Sequence, residues 1–181
     1  DVSSWVGRYA HPDPVGLIGA VLRRALSDGG VEVRGVTRRE RGARGGRTLA
    51  TLRSPIASVL PTINSNSNNA VADQLFYKVG ADFSGAGDRE GGARATLSAL
   101  GEYGLDVEGF QQVDGSGLSR ENRVTARQMV CLLDAVVDVG DGGAGVFMES
   151  MALSGRTGTL ADRMIGTPAE SRVRGKTGWI G

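Results

Sequence analysis

The sequence predicts an α/β domain of the α+β kind, with helices packed on a sheet, over its 181 residues. Apolar residues at helical spacing dominate the middle of the chain. Short alternating stretches lie near both ends, so part of the sheet is supplied late. No internal repeat is visible.

The elements follow in order. Asp13 and Pro14 read as an N-cap and first helical residue. Ile18, Val21, Leu22 and Ala25 then keep helical spacing until Gly29-Gly30 stops the run. Val31, Val33 and Val36 suggest a short strand, and Arg38 to Arg47, rich in Arg and Gly, reads as an exposed loop. Ser54-Pro55 opens a second apolar region through Leu60. After Asn64 to Asn69 a helix is expected, with Val71, Leu75 and Val79 on one face and Gly80 at its end. Asp88 can cap another, in which Ala93, Leu97 and Leu100 align and Gly104 terminates. Phe110 to Val113 reads as a strand entering the turn Asp114-Gly115-Ser116-Gly117. The clearest helix starts at Thr125, where Thr125 and Gln128 fit a capping box and Val124 with Met129 a hydrophobic staple. Its expected buried face is Met129, Leu132, Leu133, Val136 and Val137. A loop over Gly140 to Gly145, a short helix from Val146 to Leu153 and a strand from Ser171 to Trp179 complete the chain.

Composition narrows the function. Hydrophobic content is 40% and charged content 23%, ordinary for a globular chain with a sizeable core. Charges nearly cancel, 21 basic against 20 acidic, so nothing points to a strongly charged partner. The single cysteine, Cys131, rules out an internal disulfide, and with one histidine a His/Cys zinc site is not expected. That histidine lies in His11-Pro12-Asp13-Pro14, the setting of a turn rather than of a catalytic base. The longest apolar stretch, near Leu17-Ile18, is far too short to span a bilayer. A start at Asp1-Val2-Ser3 reads as a processed or excised piece.

Only Lys78 and Lys176 are lysines. Lys78 is most simply a solvated residue near a helix C-terminus. Lys176-Thr177-Gly178 ends a predicted strand. There a lysine supplies fixed positive charge, a threonine hydroxyl can bind a carboxylate, and a glycine admits substrate or backbone closely. Alone the tripeptide reads as a surface lysine before a turn. Ser67-Asn68-Asn69 alone reads as a helix N-cap. Its functional reading places the Ser67 hydroxyl in proton transfer and the Asn69 amide on a substrate carbonyl.

Together the two motifs stand in the order and at a separation that fit the serine penicillin-recognising enzymes. Three further stretches accompany them. Asp114-Gly115-Ser116-Gly117-Leu118-Ser119-Arg120 is followed by Arg123-Val124-Thr125, Gly155-Arg156-Thr157-Gly158-Thr159-Leu160 precedes the lysine motif, and Ser54-Pro55 precedes the serine motif. The combination, from about Ser54 to Gly178, resembles the S13 family of D-Ala-D-Ala carboxypeptidases and endopeptidases, typified by penicillin-binding protein 4.

The resemblance implies an incomplete transpeptidase-like domain with helices on an antiparallel sheet. Residues 1–181 would be the C-terminal part of one carboxypeptidase domain, with 1–53 expected to border an inserted domain and 54–181 the motif-bearing core. It implies catalytic roles for Ser67, Asn69 and Lys176 and substrate-binding roles for Thr177, Gly178 and Trp179. It implies peptidoglycan peptides ending in D-Ala-D-Ala and β-lactams as partners, no metal or cofactor, no nucleic acid, no membrane span, and a place in the cell envelope, periplasmic or extracytoplasmic. Gly115 and Ser116 are expected to shape a loop near the site.

The chain also departs from the pattern. Asn68 stands where the family usually has Asp, and Trp179 where it usually has a small hydroxyl residue, although the Trp179 backbone N–H could still serve an oxyanion hole. The family's Ser-x-x-Lys nucleophile motif is absent: Leu75 and Val173 stand three residues before the lysines. With that motif and the family's final strands missing, apolar surface is expected to lie exposed and the piece to be inactive alone. Ser116 sits on a glycine turn but forms no Gly-x-Ser-x-Gly elbow. Two other readings compete with an acyl-serine carboxypeptidase. One is a non-catalytic binder of peptidoglycan peptides. The other is nucleic-acid binding through Arg38 to Arg47, which the lack of interleaved aromatics and the net charge of +1 count against.

Overall fold

The computed structural model describes residues 11–40, 47–138 and 143–179. It divides into two units, Asp1–Thr51 and Leu52–Gly181.

In the first unit, α1 (Pro14–Asp28) starts as its sequence dictates. Asp13 accepts a hydrogen bond from the Gly16 N–H at 3.0 Å, and Pro14 occupies the first turn, where its missing N–H costs nothing. Gly29 caps the C-terminus and Gly30 takes φ +79°. The strand expected at Val31–Val36 does not form. The Arg23 guanidinium donates to the carbonyls of Val33 and Gly35 at 2.9 and 2.7 Å, and Gly35 turns to φ +85°. Those carbonyls are satisfied by a side chain instead of a ladder. Residues 38–40 and 47 of the expected Arg-rich loop are irregular, and 41–46 lie outside the described residues.

The second unit runs α2 (Ile56–Asn64), α3 (Asn69–Ser84), α4 (Arg89–Glu102), α5 (Ala126–Asp138), α6 (Gly143–Ser150), β1 (Ala152–Leu153), a 3-10 turn (Gly158–Leu160) and β2 (Arg174–Gly175). The apolar region after Ser54-Pro55 is thus helical. β1 and β2 pair antiparallel, Ala152 opposite Gly175 and Leu153 opposite Arg174. The strand expected over Ser171–Trp179 contracts to β2: Ser171 takes φ +60°, off the extended run, and β1 offers only Ala152 and Leu153 as partners. Phe110–Val113 contributes only one bridge, Gln111 to Arg123. The expected helix from Val146 to Leu153 instead begins at Gly143 and ends at Ser150, its last residues going to β1. Of the expected Gly140–Gly145 loop, residues 140–142 lie outside the described residues.

The core of this unit is Ala72, Phe76, Ala95, Leu100, Met151, Ala152 and Leu160. α3 buries the line Ala72, Phe76, Gly80, whereas Val79 is 43% exposed. Gly80 does not end the helix: it is a contact point, and Gly85 at φ +73° is the cap. α4 presents Gly91, Gly92, Ala95 and Leu100, and leaves Leu97 40% exposed. Glycines on both helices let the backbones approach, so small residues rather than the aliphatic stripe select the packed face. The α5 capping box is reciprocal, Gln128 N–H to Thr125 Oγ1 at 3.1 Å and Thr125 N–H to Gln128 Oε1 at 2.9 Å. Its expected buried face is not buried: Leu132 and Val136 are half-covered, while Met129, Leu133 and Val137 are exposed.

A Cβ added at Gly80 would overlap the Gly92 nitrogen and lie 2.6 Å from the Gly91 carbonyl carbon. Gly80→Ala is therefore expected to lower stability by about 1–2 kcal/mol, since overpacking outweighs the ~1 kcal/mol helix-propensity gain. Gly101→Ala, in open space on α4, is expected to stabilise by about 0.5–1 kcal/mol. Urea midpoints of both variants check this.

Candidate active site

α2 and α3 are joined by a tight hairpin over residues 65–68. Its geometry is set by Asn68, whose N–H donates to the Thr62 carbonyl at 3.1 Å and whose side chain accepts from the Val71 N–H at 3.1 Å. Ser67, at the apex, sits at φ +55°, a left-handed conformation that costs a serine about 1 kcal/mol and marks a constrained position.

Lys176 follows β2. Its Nζ donates to Ser67 Oγ at 2.8 Å and to the Thr177 carbonyl at 2.6 Å, joining residues 109 positions apart. Although much of the side chain is exposed, desolvation around the ammonium lowers its pKa below the ordinary lysine value. The arrangement holds a hydroxyl against a cation that gives up its proton more readily than a free lysine, which suits proton relay.

β2 is fixed by a serine that sequence reasoning missed. Ser154 is fully buried: its Oγ donates to the Ala169 carbonyl at 2.6 Å and accepts from the Val173 N–H at 3.2 Å. Its own N–H donates to the Val173 carbonyl at 2.9 Å. Ser150, also buried, accepts from Asn64 Nδ2 at 2.7 Å and donates to the Phe147 carbonyl at 2.6 Å, tying the end of α2 to α6. Two hydroxyls bracketing Met151-Ala152-Leu153 were the only hint of this in the sequence.

The Asp114 turn docks on α3. Asp73 Oδ1 accepts from the Gly115 and Ser116 N–H groups at 3.0 and 2.9 Å, and a Cβ at Gly115 would overlap the Ala72 carbonyl. Asp114 accepts from Gly117 N–H and Ser119 N–H at 2.7 Å each and from Asn122 Nδ2 at 3.0 Å. Burial pushes the Asp114 carboxyl up, but those donors and the charge of Arg89 outweigh it and hold the pKa below the usual carboxylate value. Gly115 and Ser116 thus shape the Asp114 turn against α3; Asp73 was not foreseen.

The structure thus brings Ser67 and Lys176 together. Asn69 is the exposed first residue of α3, Thr177 is half-buried, Gly178 is open, and Trp179 is 85% exposed. The Asn69 and Thr177 side chains make no hydrogen bond among the described residues. His11 accepts from the Asp13 N–H at 3.0 Å, a turn contact as expected. Two cavities, about 560 and 340 Å³, lie along α5, the first against the end of α4 and the second against Leu105, Asp106 and Glu108; Ser67 and Lys176 line neither. Among the described residues no cluster of His, Cys, Asp and Glu could hold a metal ion.

A family model, the D-Ala-D-Ala carboxypeptidase 3 (S13) family, matches residues 6–180. The chain is 34% identical to a D-alanyl-D-alanine carboxypeptidase of Actinomadura sp. (strain R39), over 92% of this chain and 32% of that protein. It is 31% identical to carboxypeptidase DacB of Mycolicibacterium smegmatis, over 90% of this chain and 34% of that protein. A crystal structure of penicillin-binding protein 4 from Haemophilus influenzae, complexed with a β-lactam, matches with a TM-score of 0.80 and 28% identity, covering 95% of this chain and 40% of that one. The chain spans about a third of the length of the curated relatives it matches.

Two outcomes follow from the site's electrostatics. Lys176, followed by NMR of ¹³C-methylated lysines and assigned with Lys176→Arg, is expected to titrate below the ordinary lysine value of about 10.4. In the window between its folded and unfolded pKa the unfolded chain binds more protons, so this group makes stability rise with pH there. Asp114 carries the same sign in its own, acidic window. Its folded pKa is depressed, so its stabilisation is present above the unfolded value of about 3.9 and is lost as pH falls through the folded one. Asp114→Asn is expected to cost about 1–3 kcal/mol at neutral pH and to flatten the acid limb of the stability–pH curve.

Proposed function

The chain belongs to the D-Ala-D-Ala carboxypeptidase 3 (S13) family, and we propose that it supplies the serine and lysine motifs of a serine-type D-Ala-D-Ala carboxypeptidase acting on peptidoglycan peptides. The observation that supports this most is the hydrogen bond from Lys176 Nζ to Ser67 Oγ. It unites the two motifs on which the sequence resemblance rests.

In this reading the nucleophile is a serine outside these 181 residues, because no Ser-x-x-Lys occurs within them, and the residues alone are inactive. That serine attacks the carbonyl of the penultimate D-Ala. The C–N bond breaks, terminal D-Ala leaves as the amine, and an acyl-serine ester remains until water cleaves it. Ser67, held against Lys176, relays the proton to the leaving nitrogen. The Asn69 amide orients the substrate carbonyl from the start of α3. The Thr177 hydroxyl receives the terminal carboxylate beside the Lys176 charge. Gly178 leaves room for the peptide, and the Trp179 N–H faces the developing oxyanion. No metal or cofactor takes part. A β-lactam acylates the same serine. Such a substrate puts the protein outside the cytoplasmic membrane, and among the described residues no helix is long and apolar enough to cross one.

The missing Ser-x-x-Lys favours one competing reading, a binder of peptidoglycan peptides without catalysis. Intact-mass spectrometry of the protein purified from its source after exposure to a penicillin separates the two. A single adduct on a serine outside residues 1–181, formed at least about 100-fold more slowly in Lys176→Met, is expected. A folded protein that takes up no adduct would leave the binder.

A further inference from the structure

The loop following β1, residues 155–160, touches both sides of the Ser67–Lys176 pair. On one side the Thr159 N–H donates to the Ser65 carbonyl at 3.0 Å. Gly158, at φ +57°, packs so closely on Ser65 that a Cβ would overlap the Ser65 hydroxyl and carbonyl oxygens and lie 2.9 Å from the carbonyl carbon. Ser65 is two residues before Ser67, in the hairpin that holds the serine at positive φ. On the other side Leu160, 4% exposed, places Cδ1 3.7 Å from where a Cβ of Gly175 would stand, directly before Lys176. The loop is rigid in itself: the Gly155 N–H donates to the Leu160 carbonyl at 2.9 Å, and Thr157 Oγ1 accepts from the Leu153 N–H at 3.0 Å.

We propose that Gly158 and Leu160 are positioning residues: as the two contact points of one rigid loop, they set how closely the Ser67 hydroxyl meets the Lys176 ammonium. Gly158 fixes the hairpin and Leu160 fixes the strand. The absent side chain at Gly158 is a spacing requirement as well as a conformational one. The catalytic consequence rests on the reading of the site as a penicillin-sensitive carboxypeptidase; the positional one does not.

Gly166 provides the matched control. It too has positive φ, +72°, but a Cβ there meets nothing within 4 Å, so Gly166→Ala imposes the backbone strain without the contact. In the full-length protein, Gly158→Ala is expected to slow covalent acylation by a penicillin at least about tenfold while the pre-covalent dissociation constant stays within about threefold, the pattern of lost orientation. The Lys176 ¹³C-methyl titration is expected to move up towards the ordinary lysine value as the ammonium gains water, and Gly166→Ala is expected to do neither. Leu160→Val, a milder change, is expected to shift the same two readouts in the same directions and keeps the test open should Gly158→Ala not fold. Wild-type titration and acylation in both Gly158→Ala and Leu160→Val, or effects that Gly166→Ala reproduces, would overturn the proposal. A wild-type protein that takes no adduct but whose Lys176 titration still responds to Gly158→Ala would leave the positioning role standing and remove the carboxypeptidase reading.

Discussion

The hydrogen bond between Lys176 and Ser67 closes a separation of 109 residues, and it is too weak to organise what it joins. A hydrogen bond to a charged group contributes about 1.5–3 kcal/mol at best, less where water competes. Ordering a lysine side chain costs up to about 2 kcal/mol, and holding a serine at positive φ about 1 more. The pair therefore exists only because the scaffold delivers both groups ready placed. Three devices share that work. Asn68 bonds fix the hairpin, the buried Ser154 hydroxyl locks the chain leading into β2, and Ser150 joins the end of α2 to α6.

These devices share one physical logic. The strands that meet here are two residues long, too short for a ladder to hold Lys176 in register. Side-chain hydroxyls and amides inside the fold take over from the missing ladder. Each satisfies backbone groups that would otherwise be buried without partners. The Asp114 turn repeats the solution against α3, with carboxylates as acceptors: Asp73 receives two backbone N–H groups, and Asp114 two more plus an amide.

What the sequence disclosed was what local chemistry decides. The caps at Asp13, Asp88 and Thr125 with Gln128 could be read directly, because a cap needs only residues within one turn. So could the polar residues of the two motifs. Packing faces could not. On α3 and α4 the buried line runs through Gly80, Gly91 and Gly92, and a glycine gives no hydrophobic signal. On α5 the periodicity picked out an apolar stripe as a buried face, yet Met129, Leu133 and Val137 on it are exposed, because a stripe says nothing about what lies against it. Ser150, Ser154 and Asp73 escaped notice because their value depends on partners far along the chain: Asn64, Ala169 and Gly115. The strand at Val31–Val36 was misread because alternation cannot foresee Arg23 capturing the carbonyls of Val33 and Gly35.

Whether Ser67 and Lys176 act as one unit is the central question, and a double-mutant cycle on the rate of acylation by a penicillin answers it most directly. If the proton passes through the Ser67–Lys176 contact, Ser67→Ala combined with Lys176→Met will be no slower than the slower single variant within about threefold, since each change already breaks the same relay. Rate losses that multiply would mean that the two groups act independently, and the contact would then be a neighbourly hydrogen bond with no catalytic meaning.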